Sequence, residues 1–305
     1  MGRGQTLAVD LGGTHMRVAV VDPGGRVLDR RQEATPHDAR RPVALVDLVR
    51  SVLSGPSGEG VAGAVVGTAG SVDYHGGCLD WAPHLPEGWL ADLAETRLSA
   101  AIGLPVALAN DADLAAVGEA YFGAGRGVAD VAYVTVSTGI GAGVVLGGRL
   151  VHGRLSLAEI GHTVIDRAAF QAGRPATVEL LGSGSALDRL AREAGRSGGG
   201  AEVDRLAAAG DAWAAAAWDG IVAAVGIGIL NLVELFSPEV VVVGGGVGLS
   251  GPGFLGRVQR FLSDHGPDRP RALPQVVRAA LGDDAALAGA AAWHSAFAAQ
   301  AASRP

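Results

Sequence analysis

The chain has 305 residues, of which 49% are hydrophobic, and a formal net charge of −7. This length and composition predict a folded protein large enough for two packed domains and exclude an intrinsically disordered chain. The acidic balance, with no run of more than two basic residues, argues against a nucleic-acid partner.

The N-terminus lacks the pattern of a secretory signal, because Asp10 interrupts the first apolar residues. The longest apolar stretch, at 221–233, contains two glycines and an asparagine and is shorter than the ~20 residues that a bilayer requires. It therefore predicts a buried helix. The single cysteine, Cys78, excludes internal disulfides and fits a reducing compartment. We expect a cytoplasmic protein with no membrane partner.

Arginine supplies all 24 basic residues, and lysine is absent from the sequence. A Walker P-loop, a protein kinase and a pyridoxal enzyme all need a lysine, so these mechanisms are excluded. If the protein binds ATP, glycine-rich backbone must do most of the binding.

In chain order, the segments TLAVDL, MRVAVVD and RVLDRRQEAT predict three strands joined by glycine turns. We expect next a helix near 42–53, a strand at 61–67, a polar loop at 71–88 and a helix near 90–101. The string VALAN then predicts a strand that leads into a helix.

The segment around 132–153 repeats this order of strand, glycine turn, strand, glycine turn and strand, with the first turn spanning TGIGAG. The repeat predicts a duplicated domain. The second half continues with helices near 185–194 and 212–236, a flexible loop at 196–200, a strand at 240–246, a helix after Gly253 and a last helix at 284–299.

Two glycine motifs follow predicted strands at equivalent places in the repeat. In the first, Asp10 to Thr14, the backbone N–H groups and the Thr14 hydroxyl are suited to phosphate oxygens, and Asp10 is placed to hold Mg²⁺. An ordinary hairpin turn is the alternative for this motif alone. The second motif, Ser137 to Gly143, makes a pair with it, and the pair favours binding of one triphosphate from two lobes.

A third cluster, Gly244 to Gly246, ends an apolar strand where flat backbone would admit adenine and ribose. Its continuation to Gly251 also fits the G-x-G-x-x-G dinucleotide pattern. That pattern requires a βαβ unit, and the proline-rich stretch after Gly266 argues against one.

Polar residues at two further places suggest a substrate site. Asn110 and Asp111 stand at a predicted strand end, and either of them is also a candidate helix N-cap. Asp111 is the best candidate for the carboxylate that accepts a proton from a hydroxyl under phosphorylation. Downstream, Glu159, His162 and Glu179 suit a polyol, although a lone histidine and two surface acids would give the same pattern.

Together these motifs resemble the ROK family of sugar kinases and repressors, and its glucokinase branch in particular, over essentially the whole chain. The resemblance rests on five motifs in order, which are 10–14, 110–111, 137–143, 244–246 and the string LGDDA at 281–285. It implies a duplicated actin-like (ribonuclease H-like) α/β fold with two lobes around a cleft, and a homodimer. The lobes are predicted as a small one, 1–111 with 285–305, and a large one, 112–284.

The resemblance also implies roles for individual residues. The general base is Asp111, and the metal ligand is Asp10, which would hold Mg²⁺ directly or through water. The implied sugar contacts are Gly70, His84, Asn110, Asp111, Glu159, His162 and Glu179. The implied ATP contacts are Asp10, Gly12, Gly13, Thr14, Thr138, Gly139, Gly141, Gly245 and Gly246.

The chain departs from the family where a zinc site is common. Phe170, Ala172 and Thr177 occupy the three cysteine positions, so zinc is not expected, and we expect Phe170 to pack as a hydrophobic plug that supports Glu179. His84 replaces a usual sugar-binding asparagine, and His15 stands where lysine is frequent.

The sequence thus predicts an ATP-dependent hexose kinase, with O6 of glucose as the expected acceptor and an N-acetylhexosamine as the alternative. A repressor would need an N-terminal DNA-binding segment, and the first motif begins too early for one. A sugar-binding pseudokinase is a further alternative, against which Asp10 and Asp111 argue. An NAD-dependent oxidoreductase would bind the nicotinamide cofactor and no ATP.

Overall fold

The structure is a computed structural model that describes residues 4–38, 41–83, 85–86, 88–157, 159–251, 253–266 and 273–297. The chain forms two compact units. The first comprises 1–127, 147–157 and 283–305, and the second comprises 128–146 and 158–282. The predicted division into lobes differs in placing 112–127, 147–157 and 283–284 with the second half, and it stays a prediction.

The elements of the first 127 residues are, in order, β1 (Gln5–Leu11), β2 (His15–Val21), β3 (Val27–Ala34), α1 (Arg41–Leu53), β4 (Val61–Thr68), β5 (Ser71–Asp73), β6 (Cys78–Trp81), α2 (Trp89–Asp92), α3 (Glu95–Ile102), β7 (Val106–Asn110) and α4 (Asp111–Tyr121).

The elements that follow are β8 (Val131–Val136), β9 (Ile140–Leu146), β10 (Arg149–Leu150), α5 (Arg167–Gln171), α6 (Val178–Gly182), α7 (Gly184–Glu193), α8 (Gly199–Ala208), α9 (Ala212–Phe236), β11 (Val240–Gly244), α10 (Gly246–Ser250), α11 (Phe254–His265), β12 (Gln275–Arg278) and α12 (Ala285–Phe297).

The sheet of the first unit has the strand order β3-β2-β1-β4-β7. Strands β1 to β3 are antiparallel to their neighbours, and β4 and β7 run parallel to β1. Leu7, Val9 and Leu11 belong to the main hydrophobic core of this unit together with residues of α1. Because successive side chains of a strand point to opposite faces, Asp10 lies on the other face of the sheet.

Helix α4, which carries Asp111, packs closely on α12 within the first unit. Gly118 of α4 lies against the backbone oxygen of Ala285, and Gly289 of α12 lies against that of Leu114. A side chain at either glycine would collide with backbone, so the two glycines allow the helices to approach. This packing fixes the helix that begins at the predicted catalytic residue.

The second unit repeats the topology. Its strands follow the order β9-β8-β11-β12, with β8 and β9 antiparallel and β11 and β12 parallel to β8. The predicted duplication and α/β class are therefore confirmed. The expectation that no βαβ unit follows β11 is wrong, because α11 connects β11 to the parallel strand β12.

One helix among the described residues, α9, is long and apolar enough to cross a membrane by length and composition alone. Half of its most apolar 18-residue segment is buried, and the helix packs on α6, α8 and α11 within the second unit. The prediction of a buried helix at 221–233 is confirmed.

Three local predictions are wrong. The polar loop at 71–88 contains the hairpin β5–β6, since the Asp73 carboxylate accepts hydrogen bonds from the N–H groups of His75 and Gly76 and so closes a tight turn. The helix near 90–101 is two helices, separated at 93–94. The loop at 196–200 ends early, because α8 begins at Gly199 and Gly200 N–H donates to Asp188 Oδ1 at 2.7 Å.

Candidate functional site

The first glycine motif forms the turn between β1 and β2. Gly12 N–H donates to the His15 carbonyl at 3.0 Å, which closes the hairpin. Thr35 then fixes the turn from the side: its hydroxyl donates to the Gly12 carbonyl at 2.6 Å, and its N–H donates to the Thr14 carbonyl at 2.9 Å. Thr35 is buried and did not stand out in the sequence, because a single threonine carries no motif. The hydrogen bonds that hold this turn in place are therefore accepted by its own backbone carbonyl groups.

Asp10 lies beside this turn with its side chain 14% exposed. Arg17, its partner in the β1–β2 register, forms an ion pair with it at 3.1 Å and donates to the Asp283 carbonyl at 3.0 Å. Burial raises the pKa of Asp10 to about 6; Arg17 opposes this rise, and the negative charges of Asp111 and Asp283 add to it. This face of the unit thus concentrates negative charge.

The acidic group fits Mg²⁺ in its donor chemistry, since Mg²⁺ prefers carboxylate oxygens. No group of three His, Cys, Asp or Glu side chains among the described residues is arranged to hold a metal ion. A Mg²⁺ ion at Asp10 would therefore rely on substrate phosphates and water for its other ligands, which is the usual arrangement for this ion.

The sequence left open which of Asn110 and Asp111 is the N-cap of the helix, and the structure assigns the cap to Asn110. Asn110 is the N-cap of α4, because its Oδ1 accepts from the N–H groups of Ala112 at 2.9 Å and Asp113 at 3.0 Å. Its Nδ2 donates to the Gly70 carbonyl at 3.0 Å. Asp111 is the first residue of the helix, and its Oδ1 accepts from Ala112 N–H at 2.8 Å. Asn110 thus places the start of the helix on which Asp111 stands.

Gly70 occupies a position that only glycine fits. Its φ of 111° is unfavourable for other residues, and a side chain there would meet the backbone oxygen of Trp81. Gly70 therefore lies between Asn110 and the segment that follows β6. The other sugar residue predicted in this segment, His84, lies outside the described residues.

The second glycine motif forms the turn 137–139 between β8 and β9. The turn is shorter than predicted, because β9 begins at Ile140 and Gly141 is a strand residue paired with Thr135. Ser185, in the first turn of α7, donates from its hydroxyl to the Thr138 carbonyl at 2.8 Å, and Gly184 N–H donates to the Ser137 carbonyl at 2.7 Å. The start of α7 therefore fixes this turn.

Glu179 contacts the same turn. Its Oε2 accepts from Ile140 N–H at 2.8 Å, and a side chain at Gly139 would come within 2.5 Å of that oxygen. The sequence predicted Glu179 as a sugar contact and gave no sign of this bond to the backbone. The carboxylate thus joins the predicted sugar residues to the predicted phosphate turn.

Glu159 directly precedes a short 3-10 turn at Ile160–His162, and His162 is the last residue of that turn. Gly161 at its centre lies against the Ile140 carbonyl, where a side chain would collide. His162 Nε2 lies 4.0 Å from Glu159 Oε2, and the His162 side chain is half exposed. The structure therefore brings Glu159, His162 and Glu179 together around the start of β9.

The expectation that Phe170 supports Glu179 as a buried plug is wrong, because Phe170 is 61% exposed. Backbone bonds provide the support instead: Ile165 N–H donates to Ala176 O at 2.8 Å, and Val178 N–H donates to Thr163 O at 3.0 Å. Thr177, at one cysteine position of the family's zinc motif, is the N-cap of α6. A hydrogen-bonded ladder thus positions α6 and its Glu179.

The third glycine cluster ends β11. Gly245 directly follows β11, has a φ of 79° and lies against the backbone oxygen of Val136 in the neighbouring strand β8, so that only glycine fits there. Next to it is a cavity of about 310 Å³ within the second unit, lined by Ser137, Thr138, Gly184, Leu187, Asp188, Gly200, Ala201, Asp204, Gly246, Val247 and Ser250. The structure therefore brings Thr138 and Gly246 to one cavity.

Sequence reasoning missed the contribution of α7 and α8 to this cavity. Asp204 accepts from Trp218 Nε1 at 3.0 Å, and burial raises its pKa. The glycine run at 198–200 predicts a flexible loop and gives no sign of a cavity. The predicted residues as a whole form two groups: 10–14, 70 and 110–111 in the first unit, and 138–141, 159–179 and 245–246 in the second.

Comparison with known proteins finds relatives that are named as sugar kinases. The chain is 33% identical to the glucokinase of Streptomyces coelicolor, with 94% of this chain and 96% of that protein covered. It is also 33% identical to the N-acetylmannosamine kinase of Citrobacter koseri, with 94% and 97% covered. The structure of a ROK family glucokinase from Streptomyces griseus in complex with glucose and AMPPNP superposes with a TM-score of 0.78 at 32% identity, covering 95% of this chain and 99% of that one. The ROK family matches residues 6–296, and the chain therefore belongs to the ROK family, in agreement with the predicted actin-like fold.

Proposed function

We propose that this protein is an ATP-dependent sugar kinase that transfers the γ-phosphoryl group of ATP to a hexose hydroxyl, with O6 of glucose as the preferred acceptor. The observation that carries the proposal is the pair of glycine turns at equivalent positions of two duplicated units, together with Asp111 at a helix start beside the first turn. The similar glucokinases support the choice of acceptor.

ATP is proposed to bind with its adenosine in the cavity at Thr138 and Gly246, whose 310 Å³ is suited to part of a nucleotide. Gly245 would allow the ribose to approach the backbone. Phosphate contacts are proposed for Gly12, Gly13 and Thr14 of the first turn and for Gly139 and Gly141 of the second. Because Gly12 N–H closes its hairpin, the donors proposed in the first turn are the Gly13 N–H and the Thr14 hydroxyl. Mg²⁺, proposed to bind at Asp10, would neutralise charge on the phosphates.

Asp111 is proposed as the general base. Its carboxylate would accept the proton of the sugar hydroxyl as the hydroxyl oxygen bonds to the γ-phosphorus and the bond to the bridging oxygen breaks, with ADP as the leaving group. Its position as the first residue of α4 supports this role, because helix packing and the Asn110 cap fix the carboxylate.

The sugar is proposed to contact Gly70, His84, Asn110, Glu159, His162 and Glu179. Carboxylates, an amide and imidazoles can each donate to or accept from paired hydroxyls. An N-acetylhexosamine kinase is the second candidate, because an N-acetylmannosamine kinase covers the chain as completely as a glucokinase does.

A coupled ADP-release assay with glucose, mannose, N-acetylglucosamine and N-acetylmannosamine tests the proposal. We expect Mg²⁺-dependent turnover with the highest kcat/KM for glucose, and phosphorus NMR of the product should show a 6-phosphate. A higher kcat/KM for either N-acetyl sugar would support the second candidate. Nucleotide binding without turnover on any sugar would contradict a kinase.

A further inference from the structure

A tyrosine hydroxyl spans the first turn of α4, the turn that carries Asp111. Asn110 N–H donates to Tyr74 Oη at 3.2 Å, and Tyr74 Oη donates to Asp113 Oδ2 at 2.6 Å. Asp113 is fully buried. The hydroxyl is therefore bonded to the residue before Asp111 and to the residue two positions after it.

This arrangement is a lengthened form of a familiar helix start. In a capping box, a Glu or Gln at the third helical position reaches back to the N–H of the N-cap residue. Here the N-cap is Asn110 and the third position is Asp113, whose side chain is one methylene shorter than that of glutamate. The Tyr74 hydroxyl supplies the missing reach, since it accepts from the N-cap N–H and donates to the carboxylate.

The position of the Tyr74 ring is fixed within the first unit. Tyr74 follows β5 directly, and its N–H donates to the Arg154 carbonyl at 2.8 Å. The ring contacts His152, Trp293 and Phe297, with centroid distances of 5.1, 5.9 and 5.5 Å. An aromatic ring held on several sides presents its hydroxyl in one place.

The hydroxyl also keeps its proton. Burial, with the adjacent charge of Asp113, raises the pKa of Tyr74 well above its ordinary value. The group therefore remains a hydrogen-bond donor to Asp113 over the pH range in which kinases are assayed.

We propose that Tyr74 is a positioning residue for the phosphoryl transfer reaction: its hydroxyl bridges Asn110 and Asp113 and so holds Asp111 in the orientation needed to accept the sugar proton. The inference rests on the proposed role of Asp111 as the base. Accurate placement matters, because a displacement of about 1 Å in a reacting group can cost about a hundredfold in rate.

The test is the variant Tyr74→Phe, which keeps the ring and removes the bridge. We expect kcat to fall about ten- to a hundredfold. The KM for ATP and the affinity for AMPPNP should change less than about twofold, because the hydrogen bonds and ring contacts of Tyr74 given above involve no proposed nucleotide residue. A residue with a structural role alone would lower the melting temperature and leave kcat of the folded enzyme unchanged.

The matched control is Tyr121→Phe. Tyr121 is the last residue of the same helix, and its hydroxyl donates to the Gly148 carbonyl at 2.9 Å. Like Tyr74→Phe, this variant removes a tyrosine hydroxyl that is hydrogen-bonded in the first unit, but it does so at the end of α4 distant from Asp111. We expect its kcat to equal that of the wild type. Equal kcat values for Tyr74→Phe and Tyr121→Phe would overturn the proposal.

A second variant tests the bridge itself. In Tyr74→Phe/Asp113→Glu, the longer carboxylate can reach the Asn110 N–H without a relay and occupies the volume that the hydroxyl vacates. We expect it to recover most of the lost kcat. A double variant no more active than Tyr74→Phe would contradict the bridging role.

The variant Asp111→Asn separates this proposal from the one on which it rests. If Asp111→Asn retains wild-type turnover, Asp111 is not the base and both proposals fail. If Asp111→Asn is inactive and Tyr74→Phe is fully active, only the role of Tyr74 fails.

Discussion

The two units use the same hairpin and brace it in different ways. Each has an antiparallel strand pair that ends in a glycine turn, followed by two parallel strands. In the first unit a threonine hydroxyl, that of Thr35, fixes the turn at a carbonyl. In the second unit the Ser185 hydroxyl also fixes the turn at a carbonyl, and the carboxylate of Glu179 adds a bond at an N–H group, for which the first turn shows no counterpart among the described residues.

The second-to-last residue of the strand before each turn differs between the two units. Asp10 precedes the last residue of β1 and pairs with Arg17, whereas Thr135 precedes the last residue of β8 and pairs with Gly141. The hairpin therefore needs no charge at this position. The Asp10–Arg17 ion pair is therefore specific to the first unit, and we interpret it as part of the proposed phosphoryl transfer machinery, while the proposed adenosine cavity is specific to the second.

The largest effect is expected for Asp111→Asn. The amide keeps the shape of the side chain and removes the proton acceptor, so that kcat should fall about a hundred- to ten-thousandfold. Steady-state assays at saturating glucose and ATP measure this. A variant that keeps more than about a tenth of the wild-type kcat would locate the base elsewhere.

The next effect concerns the charge of Asp10 and the pH. Its pKa is about 6 in the folded protein against an ordinary 3.8, so the folded state binds the proton more tightly than the unfolded state does. Without Mg²⁺, stability should therefore fall as pH rises from about 4 to about 7, by at most about 3 kcal/mol, because a tenfold change in proton affinity is worth about 1.4 kcal/mol.

Urea unfolding of the wild type and Asp10→Asn from pH 4 to pH 7.5 measures this contribution, since asparagine does not titrate. We expect the wild type to lose stability relative to the variant over that range. Parallel pH profiles of the free energy of unfolding would contradict a raised pKa.

A smaller effect should separate the two turns directly. A methyl group at Gly139 would come within 2.5 Å of Glu179 Oε2, whereas one at Gly12 would lie 3.4 Å from the nearest atom, the His15 oxygen. Gly139→Ala should lower the free energy of unfolding by about 1–3 kcal/mol and Gly12→Ala by less. Urea titrations of both variants compare the costs, and equal values would show that Glu179 does not fix the second turn.

The smallest effect is expected where the family's zinc motif has been replaced. Phe170 is exposed, so Phe170→Ser should change the free energy of unfolding by less than about 0.5 kcal/mol, whereas Val178→Ala in the supporting ladder should cost more.

The replaced zinc motif at 170–177 also predicts that zinc is not needed. EDTA should not reduce activity once Mg²⁺ is restored, because this segment has no thiolate. Elemental analysis that finds about one zinc per chain would contradict this account.

Local sequence patterns predicted most of the fold, because strands such as β1 and helices such as α9 have clear periodicity and boundaries. They predicted the duplication for the same reason. Candidate site residues could be derived from the residues themselves where a motif is continuous along the chain, as at Asp10 to Thr14, whereas isolated ones such as Gly70 came from the family resemblance, and the roles of all of them stay predictions. Thr35, Tyr74, Arg17 and Asp204 act through contacts between distant segments, and a single residue of an ordinary type gives no signal of such a contact.

The proposed roles are that the second unit binds the adenosine of the nucleotide in its cavity, and that the first supplies the base. Calorimetric titration of AMPPNP into the wild type, Asp111→Asn and Ala201→Phe tests this most directly, since Ala201 is exposed on α8 and lines the cavity, so that phenylalanine there would fill it without disturbing the core. We predict that Asp111→Asn binds AMPPNP within about twofold of the wild type, and that Ala201→Phe loses at least about tenfold in affinity. Wild-type affinity in Ala201→Phe, or loss of affinity in Asp111→Asn, would contradict the assignment.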